Sequence, residues 1–407
     1  MSSSLTALIR PAGRVATHLR RARQATFLTF AIAGVMFGAW APRIPEVKHN
    51  LHLSAGSLAI ALLAPSVGSL LSLGFSGHLS AKLGSARATR MLSVYFILVC
   101  WLPGFAPNLP VLWALLFIWG IGIGSMDVAM NAQAVTVEKA YRRPVMSAFH
   151  ASWSLGSLFG AVIGTLGAAF DVPIALQQGL TAGVLLIVIV LIGPSFLPDP
   201  VSTPVESVTA PSTNIFKVLD LRLLLLGVAA MTAMLSEGSV GDWSGILLRD
   251  DLHAQAAHVG FAFGAFMAMQ TLGRMVGDRV VEHFGRLRSI VTVCAIGAVG
   301  LAAGLGTHTV VGAVIGFALL GIGLSIMVPV AFSAAADGRA HAGPAIAAVS
   351  SLAYTAFLGG PTMIGVVAQA TSVPTALWLV PFVTAAGGVV ATVAIRRPAP
   401  GEVVSRQ

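Results

Sequence analysis

Runs of about 20 apolar residues recur along the whole chain, and they decide the class of fold before any motif is considered. A helix rises about 1.5 Å per residue, so each run is long enough to cross the ~30 Å hydrocarbon core of a bilayer. We read twelve such spans. The first six lie at residues 24–42, 55–76, 89–106, 111–135, 145–169 and 174–196; the last six lie at 221–241, 257–277, 289–306, 309–331, 345–369 and 374–395. Of the 407 residues, 56% are hydrophobic and only 10% are charged. Soluble domains carry about 25% charged residues, so this chain cannot cover a soluble surface of its size. The expected class is an all-α polytopic membrane protein.

The placement of charge orients it. Of the 24 Lys and Arg, 21 fall on one side once the spans are laid out, and only Arg43, Lys48 and Arg249 fall on the other. Positive residues are retained in the cytoplasm, so both termini are expected there. The net charge of +9 sits in short clusters between spans rather than on a basic face, which argues against a nucleic-acid partner. Residues 1–23 have the Ser- and Arg-rich, acid-free composition of a transit peptide, but the one-sided charge favours a basic cytoplasmic tail. Cys100 and Cys294 both fall inside spans with no clustered ligands around them, so packing is expected and a metal is not.

Residues 194–219, PSFLPDPVSTPVESVTAPSTNIFKVL, form neither core nor helix and divide six spans from six. The expected layout is a tail (1–23), a first six-helix bundle (24–196), a cytoplasmic linker (197–220), a second six-helix bundle (221–395) and a second tail (396–407). The halves echo each other at a spacing of about 200 residues. Trp40 matches Trp243, Gly77 to Gly84 match Gly277 to Gly285, and GIGIGS at Gly120 matches GIGLS at Gly321. Pro144, Trp153 and Gly164 match Pro344, Tyr354 and Gly365. Ordered matches at constant spacing point to two pseudo-symmetric bundles, the parallel repeat of many secondary transporters.

Asp127 and Asn131 stand one turn apart inside the fourth span. A charged carboxylate at the bilayer centre costs about 2.5–3.5 kcal/mol on insertion scales, so Asp127 must face water, pair with a cation or take up a proton. Proton coupling and a purely structural hydrogen-bonded acid both satisfy that requirement. His150 lies at similar depth in the next span. It can share a proton with Asp127, bond a substrate, or be satisfied by a backbone carbonyl. Trp153 and Tyr354, at matching positions, suit an aromatic platform for a sugar ring as well as they suit packing. The stretch SEGSVGDW ends the seventh span. Glu237 and Asp242 lie about 140° apart on a helix there, and Gly238 and Gly241 suggest a broken or flexible helix lining a cavity. Glu237 is the better binding candidate, and Asp242 is expected to pair with Arg43 as an outer gate. Gly156, Gly160 and Gly164 form a small-residue stripe that lets helices approach closely. No GxxxxGK occurs, so ATP drive is unsupported, and no nucleophile stands beside an oriented base.

Over essentially its full length the chain resembles the major facilitator superfamily. The loop GHLSAKLGSARATR resembles that family's gating loop through Gly77, Lys82, Gly84 and Arg87, although Ala81 stands where the family carries Asp. GRMVGDRVVEHFGRLR is the fuller copy, with Gly273, Arg274, Gly277, Asp278, Arg279, Gly285 and Arg286. The resemblance implies that Asp278 meets a helix N-terminus or a basic residue and holds one closed state. GSMDVAMNAQ, SAFHASWSLGSLFGA and SEGSVGDWSGILL are similar to the fucose-permease-like branch, including its YbjJ-type and rhizopine-linked membrane proteins. In that branch an acid with an Asn four residues on takes part in proton coupling, a pattern Asp127 and Asn131 match; its first-helix acid has no counterpart here. The resemblance implies a secondary transporter in a bacterial inner membrane that works by alternating access and is not an enzyme. The expected cargo is a sugar, polyol or amino-cyclitol such as a rhizopine, with protons as co-substrate and neither cofactor nor metal. We take the chain as a monomer. The alternatives are an exporter of drugs or metabolites and a sensor that keeps the fold but moves nothing.

Overall fold

With no water in the bilayer core, each span must close its own backbone hydrogen bonds, and the chain does so as α-helix. The computed structural model describes residues 17–142, 145–199, 219–337 and 342–398. The first half contains α1 (Thr17–Trp40), α2 (Ala55–Leu83), α3 (Ser85–Val99), α4 (Leu109–Tyr141), α5 (Met146–Ala169) and α6 (Ile174–Ile192). The second half begins with α7 (Leu221–Ile246), α8 (Phe261–Phe284) and α9 (Arg286–Gly306). The last three spans are each broken once: α10a (Val310–Leu324) and α10b (Met327–Ala336), α11a (Ala342–Tyr354) and α11b (Ala356–Ala370), α12a (Val373–Leu377) and α12b (Leu379–Arg396). Eleven helical segments among the described residues are long and apolar enough to cross a membrane. The twelfth expected span falls on the α11 pair.

Local chemistry accounts for the breaks. Pro329 and Pro381 lack the N–H that would close the turn behind them, and α10 and α12 are interrupted one turn before each. In α11, Thr355 turns its N–H (3.2 Å) and its hydroxyl (2.6 Å) back onto the Leu352 carbonyl.

Close backbone approach holds the first half together. A Cβ added at Gly160 would lie 2.2 Å from the Val35 carbonyl oxygen of α1, and one at Gly156 would lie 2.2 Å from that of Ala31. From the α1 side, a Cβ at Gly38 would lie 2.0 Å from the Ser157 carbonyl oxygen. Helices 1 and 5 therefore interlock through missing side chains, the arrangement that small-residue stripes permit in membranes. The internal repeat is visible in the backbone as well. Gly84 and Gly285, each between the second and third helices of its half, adopt φ of +81° and +79°, a region that glycine enters without penalty.

Successive spans alternate in direction, so α1 begins and α12b ends on one face, called here the terminal side. On the opposite, far side, the halves share one buried apolar cluster, which joins Trp40, Ile44 and Leu58 to Trp243, Ile246 and Phe263. Toward the terminal side the buried apolar residues separate into a first-half cluster around Phe30 and Phe149 and a second-half cluster around Leu223 and Val349. The halves thus share a core at one end and keep separate cores at the other, the arrangement expected of a cleft open toward the terminal side.

Gly160→Ala is expected to destabilise the protein by about 1–3 kcal/mol, because its Cβ meets backbone that no rotamer change can move. Gly183→Ala, with nothing within 4 Å, serves as the neutral control. Thermal unfolding in detergent, followed by size-exclusion recovery, distinguishes the two.

Candidate functional site

The second-half wall of the cleft is built by α7 and α8. Gln270 and Arg274 are four residues apart and so share one face of α8, and both reach Glu237 on α7. Gln270 Nε2 donates to Glu237 Oε2 at 2.9 Å, and Arg274 Nη2 lies 3.5 Å from the same oxygen. Arg274 Nη1 donates to Ser154 Oγ on α5 at 2.8 Å, which links the second half to the first. Glu237 and Arg274 keep 25% and 27% of their side chains exposed, so water reaches the pair. Gln270 Oε1 is buried without a donor among the described residues.

Two expectations are corrected here. Arg274 is not a cytoplasmic loop charge, because α8 runs on to Phe284 and carries Arg274 past its midpoint. The seventh helix is not broken either: α7 continues unbroken through Gly238 and Gly241 to Ile246. The two glycines open space instead. A Cβ at Gly238 would meet nothing within 4 Å, and one at Gly241 would be in ordinary contact with Phe37 and Phe263 at 3.8 Å.

The first-half wall comes from α4 and α5. Asn131 Nδ2 donates to Asp127 Oδ1 at 3.1 Å and to the Asp127 carbonyl at 2.9 Å, so one amide organises the carboxylate. Both residues are half-buried. His150, on α5, is exposed and sits edge-on to Phe30 at 5.2 Å. No hydrogen bond joins His150 to Asp127 among the described residues. Trp153 is half-buried and packs against Phe37 with ring centroids 5.6 Å apart. Phe37 also touches Trp119 at 6.3 Å and, across the halves, Phe263 at 6.4 Å. Phe37 is therefore the partner of Trp153 in an aromatic wall; the Tyr354 side chain lies outside the described residues.

The far side is closed by contacts other than the expected ones. The 3-10 turn Ala41–Arg43 points Arg43 into its own half. There it bonds Glu46 at 2.5 and 2.9 Å, the Val172 carbonyl at 2.7 Å and Gln177 at 3.2 Å. Arg43 is fully buried with four of its N–H donors engaged within its own half, and it forms no pair with Asp242 among the described residues. Asp242 is half-buried and forms no side-chain hydrogen bond among the described residues. Among the described residues, the ion pair that joins the two halves is Lys48, on the short helix Ile44–Asn50 after α1, with Asp250, in the π turn Leu247–Asp251 after α7. Beside it, Gly56 N donates to Gln369 Oε1 at 2.8 Å.

At the terminal side, Lys82, Arg87, Asp278 and Arg279 are all exposed. Gly77 is half-buried in α2. Asp278 forms no ion pair or hydrogen bond among the described residues. Arg286 instead clasps Asp337 within its own half and bonds Ser333 at 2.7 Å, with Arg222 3.3 Å from the same carboxylate. A different acid, Asp199, beyond α6, meets the start of α3. It accepts from Ser85 N and Oγ, both at 2.5 Å, and from Thr136 Oγ1 at 2.8 Å.

The model of the Major Facilitator Superfamily matches residues 26–240 and again 226–407. Among curated proteins, the chain is 35% identical to the transporter y4wD of Sinorhizobium fredii, over 89% of this chain and 96% of that one. It is 33% identical to an MFS-type transporter of Yersinia pestis, over 86% of this chain and 90% of the relative. It is 30% identical to the membrane protein MosC of Rhizobium meliloti, over 90% and 88%. Among solved structures, a bacterial homologue of the human lysosomal transporter Spinster, inward-facing and unoccupied, superposes with TM-score 0.73 at 13% identity, covering 95% of this chain and all of that one. The nucleoside transporter NupG superposes with TM-score 0.71 at 11% identity, covering 94% of this chain and all of that one.

Reversing one charge of the far-side pair, by Lys48→Glu or Asp250→Lys, is expected to place like charges across the halves and weaken closure there. The double reversal is expected to restore it, with a coupling of about 0.2–1 kcal/mol because the pair is partly exposed. Thermal melts of the four proteins close that cycle.

Proposed function

The chain belongs to the Major Facilitator Superfamily, and from that premise we propose that it moves a small polar solute by alternating access, driven by protons through Asp127. That it is a multi-pass membrane transporter and not an enzyme follows from the family. The observation that carries the finer reading is the cleft itself. Arg274 ties the part-exposed Glu237 of one half to the buried Ser154 of the other, and Asp127, Asn131 and His150 of the first half keep exposed surface. A solute seated there touches both halves at once. That is what a rocking mechanism about a central site needs.

The charge inventory speaks to the cargo. The Glu237 carboxylate is met by Arg274 and Gln270, while Asp127 and Asp242 have no cation beside them among the described residues. An amide, an imidazole and a tryptophan face suit a polyhydroxylated ring, and two unpaired acids suit an amine on it. We therefore keep a sugar, polyol or amino-cyclitol as the cargo class. The one-sided Lys and Arg make the terminal side cytoplasmic, in a bacterial inner membrane, so the cleft opens inward.

Desolvation disfavours a charged carboxylate, so an acid alternating between wet and dry surroundings binds and releases a proton. Asp127→Asn is expected to abolish proton-driven accumulation in proteoliposomes and to leave solute exchange intact. A thermal-shift screen against sugars and inositols supplies the ligand, since a molecule that binds the native state stabilises it. Uphill uptake that survives the substitution unchanged would remove Asp127 from coupling.

A further inference from the structure

A second cavity, of about 210 Å³, lies at the far side within the second half alone. It is walled by Leu247 and Asp251 from the π turn after α7, by Leu305 and His308 before α10a, by Thr309, and by Trp378 between the two pieces of α12. None of these residues belongs to the cleft. Asp251 Oδ2 is buried and has no hydrogen-bond partner among the described residues. A buried carboxylate oxygen left without a donor is costly, and the structure supplies none. The neighbouring acid, Asp250, is already engaged by Lys48 of the other half.

We propose that this cavity binds a small primary alkylammonium ion. The unmet oxygen calls for an N–H donor, the carboxylate calls for positive charge, and the indole of Trp378 offers a face that attracts cations. Leu247 and Leu305 suit a short alkyl chain. The volume falls below the 300–1,000 Å³ usual for drug-sized ligands, which limits the ligand to a few carbons. A quaternary ammonium satisfies the charge but not the orphan oxygen and binds more weakly.

The test uses the full-length protein in detergent, with propylammonium chloride against sodium chloride and tetramethylammonium chloride at equal ionic strength. Propylammonium at about ten times its Kd is expected to raise Tm by roughly 2 °C, more than either control salt. Asp251→Asn is expected to abolish the increment and Trp378→Leu to weaken binding about three- to tenfold. Glu237→Gln, in the cleft, is expected to leave it unchanged, which separates this site from the solute site. Equal shifts with sodium chloride, or a propylammonium shift that survives Asp251→Asn, would overturn the proposal. If Asp251→Asn misfolds, loss of the increment in folded Trp378→Leu decides for the site and its full retention decides against it.

Discussion

An arginine past the midpoint of a membrane helix cannot face lipid, and Arg274 shows where this molecule puts its water. A cation at the bilayer centre costs about 2.5–3.5 kcal/mol on insertion scales unless it meets a carboxylate or a wet cavity. Arg274 has both. The guanidinium is a planar fork with five donors, so it can bond Glu237 in its own half and Ser154 in the other at the same time. The polar walls follow from that placement. Asp127 with Asn131, His150 and the ring of Trp153 reach water because the same cleft that hydrates Arg274 passes before them.

The rest of the architecture keeps each half stiff so that change is confined to the gap. Helices 1 and 5 meet backbone to backbone through Gly38, Gly156 and Gly160, and contact that close cannot slide continuously. Between the halves lie an exposed ion pair, a backbone-to-amide bond, an apolar seal on the far side and the Arg274 bond at depth. Glycines bring the halves close as well: a Cβ at Gly260 would lie 1.8 Å from Thr165 Oγ1, and one at Gly365 would lie 2.0 Å from the Ala59 Cβ. The exposed pair contributes little, so the far-side closure rests on the apolar seal.

The sequence made the spans legible because length and apolarity are local properties. The same holds for Asp127 with Asn131, whose i, i+4 spacing on a helix fixes their contact, and for the glycine stripe of α5. Gly84 and Gly285 were found as a repeat and share one backbone conformation. What stayed hidden depends on partners distant in sequence. Arg274 lies three residues before the expected end of its span, and a topology rule counts such a cation as loop charge; only the continuation of α8 to Phe284 places it in the cleft. Arg43 turns toward Val172 and Gln177 because of a 3-10 turn that periodicity does not reveal. Asp199 bonds Ser85 at the start of α3 from over 100 residues away, and no local pattern announces it.

The central claim is a polar cleft between two stiff halves that water enters from the terminal side alone. Its most direct measurement is the sidedness of thiol labelling at His150→Cys, with Lys48→Cys as the far-side control. The native Cys100 and Cys294 are buried. In solute-free vesicles of both orientations, a membrane-impermeant maleimide is predicted to modify position 150 when the terminal side faces the reagent, and position 48 when the far side does. Labelling of position 150 from the far side, or from neither side, would contradict the account.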